Sequence, residues 1–357
     1  MVALDHKQNL CIKKMAYDLF YCAKPVYGGW VSFTAHLALK HDLPIYKIGN
    51  RTEEKNRPFG YGIEYRNIAP ADIKTFKNPL ITAIDKNFYD HLEHFPDKTL
   101  VVIHDPSEVT KKTSPQLVEH LKRFRIIVIR KSVKTYLKNR FGFDSLFLIH
   151  PFYAYDFTKD PSPSKAVCIS RIDFDKHIDI ILEANKHLPA AQQITLHGAA
   201  NNQYVFFKLE GLNFHKFYKG TFEKTFEALN AILKDAKWVV DMSVIKDDGG
   251  GSQYTFLEAI HQRCALVINA RWVEGYETPF KNGENCFVVK DGDELSTLIK
   301  SDPSVTKILK NATELLEPHL KVDWVKALNH YSTEVKRGST RRATRADGRG
   351  KTRKMIA

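Results

Sequence analysis

Residues 247–260 read DDGGGSQYTFLEAI: two acids, three consecutive glycines, then an apolar-periodic run that opens a helix. Glycines 249, 250 and 251 let the backbone take left-handed angles and approach another group closely, while the first turn of the helix carries N–H groups with no intrahelical partner. That combination makes an anion site, and a diphosphate suits it. A tight strand-to-helix turn also needs glycine on steric grounds alone, so the turn by itself leaves both readings open. A second chemistry is written at the end of the chain. From Lys336 it reads KRGSTRRATRADGRGKTRKMIA, nine Lys/Arg against one Asp, which supplies most of the formal charge of +13. Such a segment has almost no apolar content and is expected to be disordered alone. Lys336, Arg337, Arg341, Arg342 and Arg345 are candidates for nucleic-acid phosphates, where counterion release gives affinity. A merely solubilising tail is the equal alternative.

The elements that must position these residues alternate between two periodicities. Continuous apolar runs of strand length (KMAYDLFY, TLVVIH, RIIVIR, SLFLIH, KAVCIS, QITLHG, KWVVDM, CALVIN) are separated by helical spacing in SPQLVEHLKRF, KHIDIILEANKHL, TFEKTFEALNAILK and QYTFLEAIHQR. Strand then helix, repeated, predicts parallel sheets covered on both faces, an α/β doubly wound architecture. At 357 residues the chain exceeds what one core usually fills, so two domains are expected. The Pro/Ser-rich stretch TKDPSPSK marks the boundary. The expected organisation is a first domain over 1–157, a linker over 158–165, a second domain over 166–315, a C-terminal helix over 316–335 and the basic tail over 336–357. Two such domains face each other across a cleft at the carboxyl ends of their strands. Cys11, Cys22, Cys168, Cys264 and Cys286 are odd in number and set mostly among apolar neighbours, which suits reduced core thiols. No apolar run approaches the ~20 residues of a membrane span, and MVALDHKQNL lacks a secretory h-region, so a cytoplasmic location is expected.

The block GGSQYTFLEAIHQRCALVI followed by NGENCFVVKDGDELSTLI resembles the C-terminal domain of retaining nucleotide-sugar glycosyltransferases of the GT-B fold, particularly glycosyltransferase family 4. CISRIDFDKHIDIILEANKHLP is similar to that family's strand-Arg-x5-Lys-helix segment, VYGGWVSFTAHLALKHDLP to its Gly-Gly loop and helix, and TLVVIHDP to its strand ending in a histidine. The resemblance implies two doubly wound domains and transfer of a sugar from a nucleoside diphosphate, with UDP-sugar as co-substrate, no permanently bound cofactor and no essential metal. It implies that Arg171 and Lys176 bind and stabilise the leaving diphosphate, that Gly28 and Gly29 approach donor or acceptor, and that His104 touches the donor sugar. Gly250, Gly251, Ser252, Gln253, Tyr254 and Thr255 would line the donor, and Glu258 would bind the ribose. Preorganised cations belong where leaving-group charge develops. The chain departs from the family at one position: eight residues before Glu258 the usual acid is Gly250, with Asp247 and Asp248 further upstream. Either a shifted loop lets one of them substitute, or backbone amides alone hold the sugar. The DGD at 291–293 precedes ELSTLI and reads as a helix N-cap rather than a metal motif.

For the acceptor, YTFLEAIHQRCALVI also resembles the corresponding segment of the DNA α-glucosyltransferases of T-even phages. That implies double-stranded DNA as partner and a hydroxymethylated base as acceptor. The Lys/Arg-rich stretches HLKRFR at 120–125 and RKSVKTYLKNR at 130–140 would suit a phosphate backbone. A glycan or lipid-linked acceptor at a membrane surface, or a scaffold that binds nucleic acid without transferring sugar, are the alternatives. The aromatics of FFK at 206–208 and FHKFY at 214–218 are expected in the core.

Overall fold

The computed structural model describes residues 17–24, 28–49, 59–110 and 114–333. Its first sheet is built from β1 (Asp18–Cys22), β2 (Ile45–Ile48), β3 (Tyr65–Ile68), β4 (Pro79–Ile84), β5 (Leu100–Ile103), β6 (Arg125–Val128) and β7 (Ser145–Phe147). The order across it is β3-β2-β1-β4-β5-β6-β7 with every pair parallel. Helices α1 (Gly29–His41), α2 (Pro115–Leu121) and α3 (Lys131–Phe141) make crossovers. A continuous apolar strand is what a two-sided burial demands, and all six residues of β4 and all four of β5 are buried.

The second sheet contains β8 (Lys165–Cys168), β9 (Thr195–Leu196), β10 (Ala236–Asp241), β11 (Ala265–Asn269) and β12 (Phe287–Val289), in the order β12-β11-β10-β8-β9 and again parallel throughout. Around it lie α4 (Ile178–His187), α5 (Asn202–Tyr204), α6 (Phe214–Phe217), α7 (Phe226–Leu233), α8 (Tyr254–His261), α9 (Ala270–Val273), α10 (Gly292–Ser301) and α11 (Thr306–Lys321). Strand order reverses between β1 and β4 in one sheet and between β8 and β10 in the other, and these switch points open a crevice at the carboxyl ends of the strands. The expected α/β architecture with two doubly wound halves is therefore observed.

The chain does not finish in the second half. Ala312 and Leu316 of α11, with Trp324, Val325 and Leu328 of a helix over 324–333, join Tyr17, Leu19, Phe33 and Leu37 of the first half in one buried cluster. Tyr254, Leu257 and Ile260 of α8 enter the same cluster, so the two halves share a core. α11 runs unbroken through the 315/316 boundary expected from sequence, because its apolar stripe packs on both halves. Phe206 and Phe207 correct a second expectation. They sit on a π-helical turn over Val205–Leu209 that rotates both rings outward, leaving them 66% and 68% exposed, whereas Phe214 and Phe217 are buried as expected. Cys22, Cys168, Cys264 and Cys286 are buried free thiols, and Cys11 lies outside the described residues. Among the described residues no helix is long and apolar enough to cross a membrane.

Candidate functional site

The turn after β1 meets the turn after β8 across the crevice. Gly28 caps α1 with φ 93°, a left-handed angle that favours glycine, and a Cβ built on it would lie 3.4 Å from Cδ of Arg171. Gly29 begins α1, is exposed, and has no protein atom within 4 Å of where a Cβ would be. Beside this pair the Arg171 guanidinium is 42% exposed and shared with Asp173 Oδ2 at 3.0 Å and Asp175 Oδ2 at 3.4 Å. Exposed pairs of this kind are weak, so the guanidinium remains open to a stronger anion. Lys176 is buried, and its Nζ donates to Ser243 Oγ at 2.7 Å and to Gln253 Oε1 at 2.9 Å. Gln253 caps α8, and its Nε2 is buried with no hydrogen-bond partner, a donor left for a ligand oxygen. Behind it Asp241 holds Ser243 and accepts from Thr255 Oγ1 at 2.6 Å. Arg171, Lys176, Gly28, Gly29, Gln253 and Thr255 are thus gathered in one place.

The three glycines turn out to be required by the protein's own packing. A Cβ on Gly249 would come within 2.6 Å of the Tyr276 ring and 2.7 Å of Trp272 O; one on Gly250, whose φ is 73°, would meet Glu277 O at 2.6 Å; one on Gly251 would meet Arg130 Cγ at 2.6 Å. Gly250 N–H donates to Trp272 O at 2.6 Å and Gly251 O accepts from Trp272 Nε1 at 2.8 Å. On the side where their Cβ atoms would stand, the three glycines therefore lie against protein. Ser252 and Tyr254 are likewise buried and paired, Ser252 Oγ with His319 Nε2 at 3.1 Å and Tyr254 Oη donating to Pro151 O at 2.8 Å.

Glu258 lies between the two halves, only 4% exposed, where it meets His36 and Tyr155. The His36 ring stacks between Phe152 at 4.5 Å and Tyr254 at 4.8 Å, and its Nδ1 accepts from Tyr153 N–H at 3.0 Å. Nε2 must then carry the hydrogen and donate to Glu258 Oε1 at 3.0 Å. Tyr155 Oη donates to Oε2, and burial followed by the Glu258 charge pushes the Tyr155 hydroxyl far above its ordinary value. Each carboxylate oxygen thus has a partner within the protein. His104 is buried against Phe33 at 4.9 Å, and its Nε2 donates to Thr82 O at 2.7 Å. Burial, opposed by the Thr82 bond and aided by the Arg130 charge, brings its pKa down to about 3, so the ring is neutral and its Nε2 is committed.

Asp248, one of the two acids considered as a substitute for the missing one, is taken by Arg130 and Ser132. The basic stretch over 130–140 suits a phosphate backbone by its charge, but Arg130, its first residue, is buried. Its pairing with a carboxylate 118 positions away has no local signal. Asp291 is the N-cap of α10, accepting from Glu294 N–H at 2.9 Å. Lys336, Arg337, Arg341, Arg342 and Arg345 lie outside the described residues.

No protein-family model and no curated protein sequence matches the chain. Solved structures do match it. HepE of Anabaena in complex with UDP-glucose superposes with a TM-score of 0.63 at 15% identity, covering 91% of this chain and 100% of that one. Sucrose-phosphate synthase of Thermosynechococcus elongatus gives 0.62 at 14% identity over 91% and 99% of the two chains. A glycosyltransferase of Rickettsia africae gives 0.58 at 12% identity over 90% and 99%. At such identities the likeness establishes the fold, and the fold is GT-B.

Proposed function

We propose that this protein is a glycosyltransferase that moves a sugar from a UDP-sugar to a hydroxyl acceptor through the crevice between its two halves. The observation that carries this reading is the meeting of Arg171 with Gly28 across that crevice, with Lys176 on Ser243 and Gln253 at the start of α8, in a fold that in HepE holds UDP-glucose. Two cations, an unpaired amide donor on Gln253 and the first amides of α1 converge there. In the transfer, the bond from the anomeric carbon to the β-phosphate oxygen breaks, the acceptor oxygen bonds to that carbon, and the acceptor proton passes to the departing diphosphate oxygen. The charge that develops falls on the departing diphosphate, where Arg171, exchanging its exposed carboxylate partners for the phosphate, and Lys176 stabilise it. Retention of anomeric configuration belongs to the same reading, by resemblance to the GT-B retaining enzymes.

The proposed acceptor is a hydroxymethylated base in double-stranded DNA. This rests on the short resemblance to the T-even phage enzymes, on the charge of +13 concentrated near the C-terminus, and on the exposed pair Phe206 and Phe207 beside Lys208, a stacking surface with a cation. The test is mass spectrometry of nucleosides after incubation with nucleotide sugars and DNA containing ordinary or hydroxymethylated bases. A hexose or pentose mass on the hydroxymethylated nucleoside alone is the expected result. Release of UDP with no mass added would keep the transferase and move the acceptor to glycan or lipid. No release with any donor would overturn the enzyme reading and leave the nucleic-acid-binding scaffold.

A further inference from the structure

We propose that Arg130 is a positioning residue that sets the donor crevice by fastening the glycine turn of the second half to the end of β5 in the first. Arg130 lies at the end of β6 and caps α3, on no element that carries a donor group. Its guanidinium nevertheless joins the turn that leads into α8 to the end of β5. Nε donates to both oxygens of Asp248, at 2.9 and 2.8 Å, Nη2 sits 2.6 Å from Asp248 Oδ2, and the same Nη2 donates to His104 O at 2.6 Å. Ser132 Oγ adds a bond to Asp248 Oδ1 at 2.6 Å, and the guanidinium carbon lies 5.8 Å from the Trp272 ring centre. Gly251 is shaped for this contact, since its missing Cβ leaves the space the Arg130 stem fills.

The consequence for the site follows along the chain. Two residues beyond Gly251, Gln253 accepts from Lys176, and its free Nε2 is the donor left for a ligand. A turn held from the opposite half fixes Gln253, and through it Lys176, relative to Gly28 and Arg171. Arg130 never reaches the diphosphate; it decides where the groups that do are placed. This inference rests on the donor reading above, and it deepens that reading by naming a residue outside the family pattern.

The test measures UDP-glucose affinity by calorimetry, so that no turnover is needed, on the full chain. Removing one partner of a buried ion pair strands the other, so the informative variant is R130M/D248L, in which both charges leave together and folding is retained. Its expected result is a cooperative unfolding transition close to wild type together with a UDP-glucose Kd raised at least tenfold. G251A, which pushes the Arg130 stem out of its place, is expected to weaken donor binding in the same sense, and it serves if the double variant fails to fold. R130K, which keeps the charge but not the forked geometry, should fall between. In turnover the donor KM rises while the acceptor KM holds, a split that a general loss of stability would not produce. A folded double variant whose Kd stays within twofold of wild type overturns the proposal. Absence of UDP-glucose binding by the wild type overturns the donor reading itself, a distinguishable outcome.

Discussion

Gly29→Ala separates a glycine kept for a ligand from glycines kept for the fold. Every glycine of the 249–251 turn would drive a Cβ to within 2.7 Å of a protein atom, whereas at Gly29 nothing lies within 4 Å and φ is not left-handed. Alanine at 29 therefore meets no clash and restricts the unfolded chain, which predicts a ligand-free stability unchanged or raised by about 0.4–1 kcal/mol. The added methyl would stand where a phosphate oxygen must approach the first amides of α1. Hydrogen bonds to a charged group are worth about 1.5–3 kcal/mol, so losing one raises the UDP-glucose Kd roughly 10- to 100-fold. Thermal unfolding without ligand and a calorimetric titration with UDP-glucose measure the two quantities on one preparation. A Kd equal to wild type would refute the argument that the donor passes over Gly29. A Tm several degrees lower without ligand would refute the geometry beneath it.

Glu258→Ala should cost about 2–5 kcal/mol of stability in urea unfolding, because it leaves the buried His36 and Tyr155 donors without a partner; a loss under about 1 kcal/mol would show that the junction does not depend on the carboxylate. Acid should destabilise the protein through His104, His150 and His319, all lowered chiefly by burial, with His104 at about 3 and His319 at about 4. Their contribution is complete above the unfolded value of about 6.5 and is lost as pH falls toward 4, each ring adding up to ~1.4 kcal/mol per pH unit, while the raised Glu108 carboxyl offsets one proton. Urea unfolding at pH 7 and pH 5 reads the sign, and greater stability at pH 5 would contradict it. F206S/F207S removes two exposed rings, so stability should change by no more than about 0.5 kcal/mol while binding to duplex DNA carrying hydroxymethylated bases weakens about fivefold or more; unchanged binding would remove the rings from the acceptor surface.

Much of this architecture was legible because parallel strands buried on both faces must be continuous apolar runs. LVVI, RIIV, KAVC, AKWVVD and ALVIN mark β5, β6, β8, β10 and β11 without ambiguity. The edge strand β3 carries YRNI, half exposed, and gives no such run. Arg171, Lys176, Gly28 and Gly29 could be placed at strand ends, and the contact of Arg171 with Gly28 follows from two sheets opening toward each other. The fate of Asp248 and Glu258 could not be read, since Arg130 and His36 reach them only once the halves dock, across 118 and 222 positions of chain. The exposure of Phe206 and Phe207 was hidden for a local reason: the segment closes as a π turn, a geometry that apolar spacing in the sequence does not announce.

The central claim is that the crevice between Gly28–Gly29 and Arg171 with Lys176 holds a UDP-sugar, and a calorimetric titration of wild type and Arg171→Ala with UDP-glucose tests it most directly. Saturable one-site binding in the wild type, displaced by UDP and weakened at least tenfold in the variant, is the result this account predicts. Binding that Arg171→Ala leaves unchanged, or no binding by the wild type, would contradict it.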